Sequence, residues 1–558
     1  MRLTKPALNA LLLFTTLGAP QLALSQSKGL ATEMWASDQP PQLTTATAPT
    51  LKVYSRETIV DVLVTDEKGQ PVRGLKQTDF TISEDGQPQP LRSFAEFDLA
   101  DRPAAPPRPK LPPNVYTNYQ LTPATGPVNI LLIDALHSSP VDAVLSLRAA
   151  EQYILAMPAG TQLAVFWLAD SGLHMLQGFT TDPALLLRAV RTNRVDIGKN
   201  GDDRYTVDKL TIASLNQIAA YVSAIKGRKN LLWMAPGPPI ILVRDGGYGW
   251  HDQDTTRVHR VMDTYELFTA EQIAVSPIDS RGVRYCPGRP CALDFSTLQA
   301  EAIAEGTGGE AFYNNNDLKA LLSQAIGDGS HFYTLSYIPP RQVDDGHYHT
   351  IKVETIRPGL HLVYRAGYNS EDPPRLPQHS GADLLNTAMQ GNAPAATQLL
   401  FDVQAVPSAQ PEKASSTDKA AIPYDVLYLL PQSQIAFASA PDGAHKVSFE
   451  FHAAAYDIYG RLVASINETL NLPLSPGEYR EFVKTPFQFS QQLDLPPGQI
   501  SLRVGILDTT SNKVGTLEVP LIVSKTPDKH GAAPPPAIPT PCPPRCVLPT
   551  PPPATPAP

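Results

Sequence analysis

The chain has 558 residues, 42% hydrophobic and 18% charged, with a formal net charge of −9. That length exceeds one core and predicts about three domains of roughly 100–200 residues each, while the acidic balance excludes a surface drawn to phosphate backbones or anionic lipid. The 57 prolines, about one residue in ten, are twice the usual share of about 5% and cluster in three places, as linkers and a tail.

At the start, Arg2 and Lys5 precede a mostly apolar stretch that ends in Ala23-Leu24-Ser25. This pattern predicts a secretory signal over 1–25 and an exported chain, periplasmic or extracellular. No later segment reaches the roughly 18 apolar residues a bilayer span needs, so no span is expected after cleavage. Residues 26–50 are small and polar, a flexible leader. Over 51–98 the residues alternate as strands at 58–65, 80–84 and 91–97, with Asp85-Gly86 as a hairpin signal. So short a β module is marginal alone. Residues 99–126 form a Pro-rich, semi-rigid linker.

Val128-Asn-Ile-Leu-Leu-Ile133 is an unbroken apolar run that ends in Asp134. Such a run suits a strand buried on both faces, at the centre of a parallel sheet. Buried strands recur at 162–168, 230–234, 273–278 and 332–337, with an edge strand at 173–176. Helical spacing appears at 141–157, 210–225, 258–272, 298–305 and 318–326, and Asp182-Pro183 opens another helix. The alternation predicts a three-layer α/β domain over 127–340, doubly wound around a mostly parallel sheet. Residues 341–368 form a β appendage, and 348–368 are expected to pair with the N-terminal β module. A linker over 369–422 carries a helix at 383–389 and a strand at 399–406. Six strands without helices then predict a C-terminal β-sandwich over 423–525, followed by a disordered Pro-rich tail over 526–558.

Four cysteines form two close pairs. Cys286 and Cys291 flank a turn-rich loop that could close a disulfide in an oxidising compartment, and Cys542 and Cys546 lie in the tail, a weaker candidate. Tyr248 and Trp250, in a long glycine-rich loop after a strand, are candidates for a protein-binding surface. His347 and His349 share one face of a strand, but no third ligand stands near them in the sequence. Walker, Rossmann, His-Glu-x-x-His and Gly-x-Ser-x-Gly motifs are missing from the sequence. Asp134, His137 and Ser138 nominally make a catalytic set, yet three neighbours on one tight loop do not form a linear relay.

The run ending in Asp134, the strand at 163–168, Gly227-Arg-Lys-Asn-Leu-Leu-Trp233, Ile273-Ala-Val-Ser-Pro-Ile-Asp279 and Ala304-Glu-Gly-Thr-Gly-Gly-Glu-Ala-Phe312 stand in an order that resembles a von Willebrand factor A-type (VWA) domain. With Asp66-Glu-Lys-Gly69 and Asp79-Phe-Thr-Ile-Ser-Glu-Asp-Gly86 upstream, residues 50–370 look like a bacterial exported subfamily of that domain. The resemblance implies a Rossmann-like fold that binds an unidentified protein partner and performs no catalysis, and the acidic charge already speaks against nucleic acid. It also implies a divalent-cation site at the top of the sheet, with Asp134, Ser138 and a loop threonine, for which Thr206 is the candidate. Mg²⁺ wants about six oxygens. Leu136 replaces one hydroxyl of the family pattern, and Ala235-Pro-Gly237 stands where an acid is expected. The site therefore reads as degenerate, with no resident cofactor. Metal-dependent adhesion through Asp134 and Ser138 is the alternative, and hydrolysis the remote one.

Overall fold

The computed structural model describes residues 57–98, 111–112, 114–119, 127–192, 204–237, 255–283, 295–340, 347–369, 381–391, 393–408, 421–439 and 443–524. The expected signal, leader and tail, Tyr248 and Trp250, and all four cysteines lie outside the described residues.

The chain opens with strands β1 (Thr58–Thr65), β2 (Phe80–Glu84), β3 (Gln87–Gln89) and β4 (Ser93–Asp98). Asp85 and Gly86 take φ of +49° and +76°, the left-handed pair a two-residue hairpin turn demands. Then comes β5 (Val115–Thr117), inside the Pro-rich linker.

The central domain runs β6 (Val128–Asp134), α1 (Pro140–Leu155), β7 (Leu163–Ala169), β8 (Gly172–Thr180), α2 (Pro183–Thr192), α3 (Arg204–Val222), β9 (Lys229–Ala235), α4 (Thr255–Ala270), β10 (Ile273–Asp279), α5 (Phe295–Thr307) and α6 (Leu318–Asp328). Its sheet has the order β10-β9-β6-β7-β8. The first four strands are parallel, and only the edge strand β8 is antiparallel. All seven residues of β6 are buried, as its two-sided apolar run requires. Leu132, Phe166 and Trp233 face α3 and α4. Leu131, Ile133 and Trp167 face α1 and α6. The fold is α/β in three layers, a mostly parallel sheet between helices, flanked by antiparallel sheets.

After α6 the chain forms β11 (His331–Tyr337), β12 (Tyr348–Thr355), β13 (His361–Val363) and β14 (Gly367–Asn369). The sequence pattern assigns the strand at 332–337 to the α/β domain. Instead β11 pairs antiparallel with β1 and β4. Its pattern of buried residues fits either sheet, so pairing alone decides. The expected pairing of 348–368 with the N-terminal module is present: β12 pairs with β2, and β13 with β1. Two four-stranded sheets, β13-β1-β11-β4 and β14-β12-β2-β3, thus form one β module. The α/β domain is inserted between its two halves. This is how a marginal fifty-residue segment acquires a core: Val60, Val62, Phe80 and Ile82 pack on Tyr333, Leu335, Ile351 and Val353.

The last part contains α7 (Gly381–Ala388), β15 (Asp402–Pro407), β16 (Ile422–Leu430), β17 (Ala438–Ser439), β18 (His445–Tyr456), β19 (Leu462–Leu474), α8 (Pro476–Phe482), β20 (Phe487–Leu495), β21 (Gly498–Asp508) and β22 (Lys513–Val523). One sheet has the order β20-β16-β15-β5, the other β17-β18-β21-β22 with β19 beside β18. Two expectations change here. The segment at 115–117, read as linker, is a sandwich strand, and it pairs with the strand expected at 399–406, which runs over 402–407 and belongs to the sandwich rather than to a linker. The segment read as strands alone contains α8, which starts with a capping box of Ser475 and Glu478 and a proline in its first turn. Among the described residues, no helix is long and apolar enough to cross a membrane.

Candidate functional site at the end of the central strand

β6 delivers Asp134 to the carboxyl end of the sheet, where open α/β sheets usually bind ligands. The amides of Ala135 and Leu136 both donate to the Leu168 carbonyl, at 2.8 and 3.0 Å, which folds the following loop against β7. Ser139 then accepts the Asp142 amide and caps α1, with Pro140 in the first turn.

The side chain of Asp134 is fully buried. Its Oδ1 accepts the His137 amide at 3.0 Å. Its Oδ2 accepts Trp233 Nε1–H at 2.8 Å and meets His137 Nδ1 at 2.7 Å. On the far side of the ring, His137 Nε2 lies 3.3 Å from Thr211 Oγ1. Thr211 donates its own proton to the Val207 carbonyl at 2.8 Å, so its oxygen is the acceptor toward the ring. Both ring nitrogens then face oxygen acceptors, an arrangement that favours the protonated ring. Burial opposes that charge, but Asp134, by charge and by hydrogen bond, and Asp208 outweigh it and raise the pKa of His137 above the usual imidazole value. The buried acid is thus met by an imidazole and by an indole N–H, both within hydrogen-bond distance of the same carboxylate oxygen.

Ser138 is brought to Asp134 as expected, but its hydroxyl donates to the Asp134 carbonyl oxygen. Thr206 is exposed on the first turn of α3, and the threonine that reaches the cluster is Thr211, five residues on. Both oxygens of the Asp134 carboxylate already accept N–H groups, Leu136 offers no side-chain oxygen, and β9 ends in Ala235. As placed, this set does not fit the oxygen-rich octahedral shell of Mg²⁺.

Carboxylate, imidazole and hydroxyl do line up through Asp134, His137 and Thr211, with Thr211 in the place that Ser138 cannot take from the same tight loop. Thr211 is nevertheless 0% exposed and back-bonded within α3, out of reach of a substrate. A raised pKa also weakens His137 as a base near neutrality. Trp233 and Thr211 escaped the sequence reading. The one available signal was the indole, since a tryptophan inside a wholly apolar strand needs an acceptor for its N–H.

Beside this closed cluster, the first turns of α1 expose Val141, Val144 and Leu145, at 68%, 36% and 41%. Their i, i+3, i+4 spacing makes one apolar stripe facing away from the sheet.

No protein-family model matches the sequence, and no curated protein does. Solved structures that are similar in part include the SpRpn10 VWA domain, at 13% identity and a TM-score of 0.22, covering 37% of this chain and 98% of that one. The ArnB paralog VWA2 from Sulfolobus acidocaldarius is 10% identical with a TM-score of 0.22, over 84% of this chain and 77% of that one. The pilus adhesin SpaC from Lactobacillus rhamnosus GG is 9% identical with a TM-score of 0.26, over 82% and 61%. Likenesses at this level say nothing of function, and the fold assignment rests on this chain's own strand order.

Proposed function

We propose that the chain is an exported protein-binding module, without catalysis or a resident metal, whose contact surface is the carboxyl-end rim of the α/β domain. The observation that carries this reading is the exposed stripe of Val141, Val144 and Leu145 beside an acid whose hydrogen bonds are satisfied internally. Apolar side chains held on a rigid helix lose little freedom when covered, which suits a partner surface more than a solvent face. The partner is a protein surface with apolar side chains to fill the stripe.

The test is cross-linked capture from the exported fraction with the wild type and with a Val141→Asp/Leu145→Asp double variant, in the presence and absence of EDTA. The expected result is one captured species, retained in EDTA and lost in the variant, with the urea midpoint of the α/β domain unchanged. Retention by the variant overturns the stripe as the contact surface. Loss in EDTA favours metal-dependent adhesion instead.

A further inference from the structure

The buried face of β2 alternates Phe80, Ile82 and Glu84, so a carboxylate stands where the pattern calls for an apolar side chain. In the antiparallel ladder Glu84 faces Ile351 of β12. His349, two residues earlier, shares that face and is also buried. The Asp85-Gly86 turn swings a second carboxylate over the same end of the ladder. There Asp85 Oδ1 accepts the Thr350 amide at 2.9 Å, and Oδ2 lies 2.7 Å from His349 Nδ1. One ligand atom from each of Glu84, Asp85 and His349 fits within 4.8 Å of the others. In the sequence alone, His347 and His349 stand without a third ligand. The structure supplies two carboxylates to His349, from across a separation of 264 residues in the case of Asp85.

The supports around these side chains are of the kind a bound ion uses. Glu84 Oε2 accepts the phenols of Tyr337 and Tyr368 at 2.5 and 2.9 Å, which orients the carboxylate. Neutral phenols do not cancel the charge of a buried carboxylate, and desolvating it is costly. A divalent cation would cancel it. Two carboxylates and one imidazole form a mixed O,O,N set of the borderline kind that takes Zn²⁺, Mn²⁺ or Fe²⁺ rather than Ca²⁺. Asp85 is exposed, which gives entry and room for water ligands.

We propose that Glu84, Asp85 and His349 bind a divalent transition-metal ion that clamps β2 to β12. Such an ion ties together the two chain segments between which the α/β domain is inserted. It binds the folded module only, so it stabilises that module as its concentration rises.

The test uses Mn²⁺, which avoids thiolates, titrated into the full-length protein and followed by electron spin resonance. The expected result is one bound Mn²⁺ with an imidazole nitrogen coupling. That binding is lost in His349→Gln and in Asp85→Asn. In Tyr368→Phe it is weakened by about 10–100-fold, the cost of losing a supporting hydrogen bond to a ligand. It is unchanged in Asp134→Asn, which separates this site from the rim. Should a His349 variant fail to fold, Asp85→Asn, which changes an exposed side chain, carries the same prediction. No binding by the wild type up to about 1 mM Mn²⁺ and Zn²⁺, well above ordinary site affinities, overturns the proposal and leaves a His349–Asp85 ion pair. So does binding equal in the wild type and both ligand variants.

Discussion

Asp134→Asn tests the rim cluster most directly, because the side chain keeps its shape and loses its charge. The aspartate accepts three hydrogen bonds: the His137 amide, His137 Nδ1 and Trp233 Nε1. Asparagine has one oxygen and one NH₂, so in either orientation an N–H is turned toward another N–H. With the oxygen in the Oδ2 position, one bond is lost and two fall from charged to neutral strength. Hydrogen bonds to charged groups contribute about 1.5–3 kcal/mol and neutral ones about 1 kcal/mol, so the gross loss is about 2.5–7 kcal/mol. Relief of the buried charge returns part of it, which leaves about 2–4 kcal/mol. The sign of the pH dependence follows from His137. Its folded-state pKa is raised above the ordinary 6.5, so its contribution is fully present below that value and fades as pH rises through the folded-state pKa. Without the Asp134 charge the larger part of the raising influence is lost, and Asp208 alone remains against burial. The stability difference between wild type and variant should therefore be largest at acidic pH and shrink toward alkaline pH. Urea melts followed by tryptophan fluorescence read this well, because Trp167 and Trp233 both sit in the α/β core. A difference below about 0.5 kcal/mol, the scatter of ordinary surface changes, would refute the reasoning, as would a difference that grows as pH rises above about 6.5.

Three further outcomes are expected. Burial pulls the pKa of Lys229 down to about 8 despite Glu271 and Asp61. The folded chain therefore binds fewer protons than the unfolded chain, and stability should climb between about pH 8 and 10.5, by about 3 kcal/mol at most, in the wild type but not in Lys229→Met. Arg503 donates to the carbonyls of Ala388, Ala393 and Pro394 at 2.6, 2.6 and 3.1 Å. Arg503→Met leaves those acceptors unpaired, at about 3–5 kcal/mol by analogy with broken buried ion pairs, and limited proteolysis should cut sooner between α7 and β15. A Cβ on Gly309 would stand 2.0 Å from the Val275 carbonyl oxygen of β10, and backbone cannot yield as a side chain can. Gly309→Ala should cost about 3 kcal/mol, read as a lowered urea midpoint, and an unchanged midpoint would refute the close approach.

What could be read from the sequence was local. The apolar run of β6, the Asp182-Pro183 helix start and the Asp85-Gly86 turn each carry their conformation in adjacent residues, and each is present. What could not be read was pairing across long separations. Nothing in Phe332–Tyr337 distinguishes a sixth central strand from a partner of β1, and nothing in Val115-Tyr116-Thr117 announces a sandwich edge within a run of prolines. The site follows the same division. Asp134 and Ser138 were visible because they end a strand. Thr211 and Trp233, 77 and 99 residues from Asp134, reach it only through packing of α3 and β9. Glu84 and His349 were each visible as an oddity, a charge or an imidazole in an alternating strand, and became a set only when β12 paired with β2.

The points of attachment give the α/β domain a polarity. Arg228, just before β9, donates to Asn230 at 2.9 Å and to the Gly308 carbonyl at 2.7 Å. Arg365 of the β module reaches the Ile59 carbonyl at 2.8 Å, and Gln272 reaches Asp61 at 3.4 Å. Arg228, Arg365, Asp61 and Gln272 line one cleft, at the amino end of the parallel strands. The sandwich attaches near the same end: Thr397 bonds Ala220 and Tyr221 in the last turn of α3, and Leu385 and Met389 pack on Ala220. The chain enters the sheet at Val128 and leaves after α6 on that side too. Asp134 and the α1 stripe occupy the opposite end of β6. An inserted domain held by its amino end can present its carboxyl-end loops without disturbing either neighbour. A partner bound there would meet residues of the α/β domain alone, so changes at the stripe should alter binding while the contacts of Arg228 and Thr397, and the stability they support, stay as they are.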